Sequence, residues 1–145
     1  MTVQRILNTQ EGGTAVCIAP DAGIDEALDL LAVENVGALV VSSDGRKVEG
    51  IVSERDIVRA LRTVGSDLLR QRVRDVMTAD VVTCVAGDRA AGIMALMVER
   101  HLRHIPVVRN DELVSMVSIR DLLQLRLEEV KSEARAMRNY IRGVA

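Results

Sequence analysis

The sequence predicts an α+β fold of two β-α-β-β-α units followed by a long C-terminal helix. The first sign is a repeated heptapeptide, G-I-V-S-E-R-D at 50–56 and S-M-V-S-I-R-D at 115–121. The match extends backwards once two extra residues are allowed in the turn at 44–47. Cys17 then falls on Cys84, Asp21 on Asp88, and Val40-Val41 on Val107-Val108. The second sign is periodicity: short Val-rich runs and helical spacings alternate in the same order in both copies. A unit used twice in this way cannot bury its apolar face alone. The chain has 145 residues, one domain's worth, so the copies share a core.

The N-terminal segment, 1–13, has no secretory apolar run. The first copy, 14–64, opens with a β-rich segment at 15–18, and a turn at Asp21 leads into a helix over 24–34. There Ile24, Leu28, Leu31 and Val36 mark one apolar face, while Asp25, Glu26 and Asp29 lie off it. Runs at 38–42 and 48–53, divided by an Asp-Gly turn, read as hairpin strands, and a helix starts just after Ser53. The linker, 65–76, continues a basic run of Arg62, Arg70, Arg72 and Arg74, read as a solvated surface. The second copy, 77–125, repeats the order: a β-rich segment at 81–85, a helix at 90–100, strands at 105–108 and 113–118 around an Asn-Asp turn, and a helix after Ser118. Each unit is therefore a small sheet with two helices on one face. In the extension, 126–145, the last helix continues. Leu123, Leu127, Val130, Ala134, Met137 and Ile141 are spaced by alternating fours and threes, an a/d seam. A seam this long either packs on its own body or meets a second chain, and the second reading is favoured.

Composition narrows the function. Apolar residues make up 48% of the chain, but there is no Trp or Phe and only one Tyr, Tyr140. Single-stranded nucleic-acid binding by stacking lacks its platforms. A net charge of −2 gives no global pull toward DNA or anionic membranes, so any bound anion must be held by a local cluster. Cys17 and Cys84 lie in apolar runs and read first as small buried thiols, with a disulfide or a reactive thiol as the alternative. They have no zinc-site spacing, and His101 and His104 lack a third ligand, so no metal is expected. No stretch approaches the roughly 18 apolar residues of a membrane span. A cytoplasmic protein is expected.

The residues suited to chemistry sit where a strand becomes a helix. Ser53 and Asp56, like Ser118 and Asp121, have capping-box spacing, and capping alone would explain them. Gly50 adds a second reading, because a glycine in a strand lets another group approach the backbone closely. A helix N-terminus offers free N–H groups to an anion, and a carboxylate beside it can accept both hydroxyls of a ribose diol. Ser, Arg and Asp together suit a phosphorylated ribose, with Arg55 and Arg120 either reaching phosphate or pairing with surface acids. No Ser-His-Asp set, P-loop or paired acids in a cleft is apparent, so no catalysis is expected.

The tandem G-h-x-S/T-x-x-D pattern, with M-T-A-D-V-V-T-C-V opening the second copy and R-H-I-P-V-V before its hairpin, resembles a pair of cystathionine-β-synthase (CBS) domains, the Bateman module. The resemblance covers about residues 14–125. It implies two units related by pseudo-two-fold symmetry, with two clefts between them for adenosine compounds: AMP, ADP, ATP, S-adenosylmethionine or a nicotinamide dinucleotide. The family's ribose-binding Asp falls on Asp56 and Asp121, and its Ser/Thr on Ser53 and Ser118. Its phosphate-facing basic residues fall on Arg103 and His104. An adenine would lie between aliphatic side chains, plausibly Ala38, Val82, Ile105 and Pro106, with backbone groups reading its edge. Two departures stand out. Ser115 replaces the second Gly, and E-N-V-G-A-L-V-V in the first copy has no basic residue or Pro where the second has Arg103, His104 and Pro106. The two clefts should therefore differ. The resulting expectation is a homodimeric regulatory module that binds AMP, ATP or NAD(H) as a ligand and signals to a partner protein. Its rivals are a ligand-free interaction module and a DNA-associated regulator using the linker arginines.

Overall fold

The computed structural model describes residues 1–10 and 15–143. The expected boundary at 13/14 and the last two residues of the extension lie outside them. In the first copy, β1 (Cys17–Ile18), β2 (Ala38–Val41) and β3 (Gly50–Ser53) form a three-stranded sheet in that order. β1 and β2 are parallel, and β2 and β3 antiparallel. In the second, β4 (His104–Arg109) and β5 (Glu112–Ser118) form an antiparallel pair. The counterpart of β1 is reduced there to a single parallel bridge, Cys84 to Val107. Cys17 is bridged to Val40 in the same way, so the repeat inferred from sequence is a repeat in space.

Local chemistry explains the element ends. α2 (Ile24–Glu34) stops at Asn35, whose backbone is left-handed, and the Val36 N–H closes the turn on the Leu31 carbonyl at 3.1 Å. This is the Schellman ending that Asn tolerates. The β4–β5 turn places Asn110 and Asp111 both at positive φ, the geometry a two-residue hairpin needs. In the first hairpin, Asp44 Oδ1 accepts from the N–H groups of Arg46 and Lys47. The Leu113 N–H donates to the Arg46 carbonyl at 2.7 Å, and Arg46 pairs with Glu112, so the two hairpins are tied together.

The helix α1 (Val3–Thr9) falls in the N-terminal segment, where no element was expected. It packs on the second copy: Val3 and Ile6 are buried in a core with Ile105, Val117 and Leu122, and the Val3 N–H donates to the Asp88 carbonyl at 2.9 Å. The linker does the same for the first copy. Its 3-10 turn (Gly65–Arg70) and short α4 (Val73–Val76) bury Leu68 and Val73 beside Ile24 and Leu39, and the Val73 N–H donates to the Ala22 carbonyl. Arg62, Arg70, Arg72 and Arg74 stay exposed, as expected of a solvated run. α3 (Glu54–Val64) and α5 (Ala90–Glu99) complete the helices on the sheets.

α6 runs from Ile119 to Ile141 over 23 residues. Leu122 and Leu125 are buried against the body, whereas the seam faces away: Leu123 is 55% exposed, Leu127 54% and Ile141 76%. Of the two readings of the seam, packing on its own body is therefore not the arrangement adopted. Cys84 is buried, Cys17 is partly so, and both are free thiols. Burial pushes the Cys84 thiol up to about 11. Among the described residues no helix is long and apolar enough to cross a membrane.

Candidate functional site

Two clefts flank the junction between the copies, with volumes of about 510 Å³ and 410 Å³, within the range of small-ligand sites. The larger holds Ser118, Arg120 and Asp121 at the start of α6, with Ala38, Asn35 and Val36 opposite from the first copy. The smaller holds Ser53, Arg55 and Asp56 at the start of α3, with Val82, Arg100 and His101 from the second. Each cleft thus takes its S-x-x-D corner from one copy and its far wall from the other. The arginines at the mouth of the Asp56 cleft outnumber those of the Asp121 cleft: Arg55, Arg59, Arg100 and Arg103 against Arg103 and Arg120.

Both S-x-x-D corners are complete capping boxes. Asp56 Oδ2 accepts from the Ser53 N–H at 2.9 Å and from Ser53 Oγ at 2.9 Å, and the Asp56 N–H donates to Ser53 Oγ at 3.2 Å. Asp121 and Ser118 reproduce this at 2.8, 2.7 and 3.2 Å. One oxygen of each carboxylate does the capping. The other oxygen, Oδ1, takes no part in the cap. In Asp56 its contact is a long one, from Thr78 Oγ1 at 3.5 Å. A cap and a diol acceptor are therefore compatible in one side chain.

The thirteen residues expected at the site divide into four groups. Ser53, Arg55, Asp56 and Val82 line the Asp56 cleft; Ala38, Ser118, Arg120 and Asp121 line the Asp121 cleft; Arg103 and His104 line both. Gly50, Ile105 and Pro106 line neither. Ile105 is fully buried in the second core, and Pro106, buried in β4, accepts the Cys84 N–H at 3.0 Å. Neighbours in a strand face opposite ways: Ile105 turns into that core, and Pro106, on the other face, is buried without lining a cleft. The close approach expected at Gly50 is real, but the chain itself makes it. A Cβ there would sit 2.6 Å from Met77 Sδ and 3.0 Å from the Thr78 carbonyl, because Thr78 pairs with Ile51 through two backbone hydrogen bonds.

Ser115, the counterpart of Gly50, is buried and donates to Gln10 Oε1 at 2.8 Å. Gln10 Nε2 donates in turn to the Met116 carbonyl at 3.2 Å. Where the backbone of Thr78 closes the first unit, a side chain closes the second. Gln10, Thr78 and Asp80 all line clefts and were not expected there. The signal was present: V-Q-R-I at 3–6 and V-R-D-V at 73–76 stand seventy apart, as do Gln10 and Asp80.

His104 is half-buried and burial holds its imidazole below the ordinary value, with Arg103 adding to that; Asp121 and Glu54 pull the other way. Among the described residues no group of three His, Cys, Asp or Glu side chains could hold a metal ion.

The family model of the CBS domain matches residues 14–63 and 73–128. The chain is 31% identical over 137 residues to the mitochondrial CBS domain-containing protein CBSX3 of Arabidopsis thaliana, covering 92% of this chain and 66% of that one. A CBS-domain protein of Agrobacterium tumefaciens, ATU1752, superposes with a TM-score of 0.82 at 35% identity, covering 87% of this chain and 99% of that one. More distant structures share the fold: CBSX2 in complex with AMP, at 24% identity and a TM-score of 0.70, and the CBS pair of MJ0100 with 5-methylthioadenosine and S-adenosyl-L-methionine, at 22% and 0.76. The chain spans from about a third to two thirds of the length of curated relatives it matches.

Proposed function

Because the chain belongs to the CBS domain family, we propose that it is a non-catalytic regulatory module that binds an adenine nucleotide in its clefts and passes that state to a partner protein. The observation that carries this reading is the pairing, at each cleft, of a carboxylate whose second oxygen is outside the cap with arginines: Arg55, Arg59, Arg100 and Arg103 beside Asp56, Arg103 and Arg120 beside Asp121. Asp56 and Asp121 take the ribose diol, and Ser53 and Ser118 stand beside it. Arg55, Arg103, His104 and Arg120 meet phosphate, and Ala38 and Val82 give the base an aliphatic surface. AMP, ATP and NAD(H) all present these features. The adenosine ligands held by CBSX2 and MJ0100 fit the same chemical class.

The module works as a homodimer. The seam of α6 leaves an apolar stripe too continuous to remain solvated, and a second copy offers the same stripe by symmetry.

One observation favours a rival. Both carboxylates are already engaged as caps, which a ligand-free interaction module would also require. Calorimetric titration of the full chain with AMP, ADP, ATP, NAD and S-adenosylmethionine separates the two: saturable binding supports the sensor, and silence across the panel supports the scaffold.

A further inference from the structure

The repeat superposes Gly37 on His104 and Val36 on Arg103, so only the second copy supplies a basic pair at the pseudo-two-fold junction. Gly37, Arg103 and His104 are the residues common to both clefts. A Cβ on Gly37 would lie 3.1 Å from His104 Cε1 and 3.3 Å from Nε2. The imidazole stands where the first copy's own side chain would be. Two clefts that symmetry would equip separately are served by one ring.

We propose that His104 is a single anion-facing group shared by the two clefts, so that a phosphate bound in one changes the affinity of the other. This rests on the nucleotide-binding reading above. Glu54 from α3, Asp121 from α6 and Arg103 from its own segment act on the ring, and Arg55, Arg120 and His101 line the same clefts. One acid from each cleft pulls the imidazole toward its charged form, while burial and Arg103 oppose this. With the clefts empty, burial favours the neutral ring. A phosphate in either cleft favours the imidazolium, and a proton is taken up from solution. The second phosphate then meets a cation in place of a neutral ring. Repulsion between the two phosphates acts at every pH and does not depend on His104.

The test is calorimetric titration of the full chain with AMP at about pH 6.5 and about pH 8, spanning the histidine range, in two buffers of different ionisation heat. Wild type is compared with His104→Gln, which keeps a donor but cannot titrate. In wild type, filling the first cleft takes up more protons than in the variant. The second AMP binds relatively tighter at the lower pH, by about fivefold or more, and the variant loses this pH dependence. Equal proton uptake with a pH-independent ratio in both proteins overturns the sharing but leaves nucleotide binding intact. A chain that binds no AMP overturns both. A second readout leaves residue 104 untouched: the His104 imidazole, followed by NMR, titrates higher with AMP in both Asp56→Asn and Asp121→Asn. A rise in only one of these single-cleft variants also overturns the proposal.

Discussion

Replacing Asp56 with Asn separates ribose binding from helix capping. The substitution leaves an amide oxygen that can still accept the Ser53 N–H, now 2.9 Å from Oδ2. What the fold loses is mainly the negative charge at the start of α3, about 0.3–1 kcal/mol. For a chain of this length that lowers Tm by at most about 4 °C. The ligand loses more. Oδ1, whose contact among the described residues is Thr78 Oγ1 at 3.5 Å, is the oxygen a diol would use, and an amide that presents N–H₂ there faces a hydroxyl with a donor. One charge-assisted hydrogen bond is worth roughly 1.5–3 kcal/mol, an affinity loss of roughly 10- to 150-fold. AMP titration by calorimetry, paired with thermal melting of the unliganded protein, reads both quantities. The expected result is a nearly native Tm with one of the two binding transitions weakened by that factor. A variant that melts normally and binds AMP as tightly as wild type would refute the assignment of Asp56 to ribose.

Arg103→Ala should weaken AMP by roughly 10- to 150-fold and adenosine far less, measured by parallel titrations; equal losses would mean that Arg103 acts through packing. Gly50→Ala should lower Tm by several degrees, since overpacking costs about 1–3 kcal/mol and the Thr78 carbonyl, 3.0 Å from the new Cβ, is held by pairing with Ile51; an unchanged Tm would contradict this close approach. Leu127→Glu with Val130→Glu places charges on the exposed seam of α6 and should convert the proposed dimer to monomer in sedimentation at micromolar concentration; a wild-type monomer would contradict the dimer, and a dimer unaltered by the substitutions would move the interface to another face.

Much of this fold is legible in the sequence because each copy obeys local rules. The helix over 24–34 has the same limits in structure as its apolar spacing implied, and Asn110-Asp111 turns as its residue types dictate. What escaped was the cross-over. Val3, Ile6 and Val73 look like short amphipathic fragments, and nothing local says that the first two belong to the second core and the last to the first. That is a tertiary fact, visible in sequence only through the seventy-residue echo between V-Q-R-I and V-R-D-V. The site divides similarly. Ser53, Asp56, Ser118 and Asp121 were placed by motif spacing, and the structure puts them at cleft corners. Gly50 was read as room for a ligand because a sequence shows that space is needed, not what fills it. Ile105 and Pro106 are neighbours in strand β4 and face opposite ways; Ile105 goes into the second core, and the motif alone does not say which face each takes.

The most direct measurement is mass spectrometry under native conditions on the full chain after incubation with AMP, comparing wild type with the Asp56→Asn, Asp121→Asn double variant. Wild type should retain AMP at up to two molecules per chain, one for each cleft, and the folded double variant should lose it. Equal retention by both proteins would leave the S-x-x-D corners as caps and contradict the account.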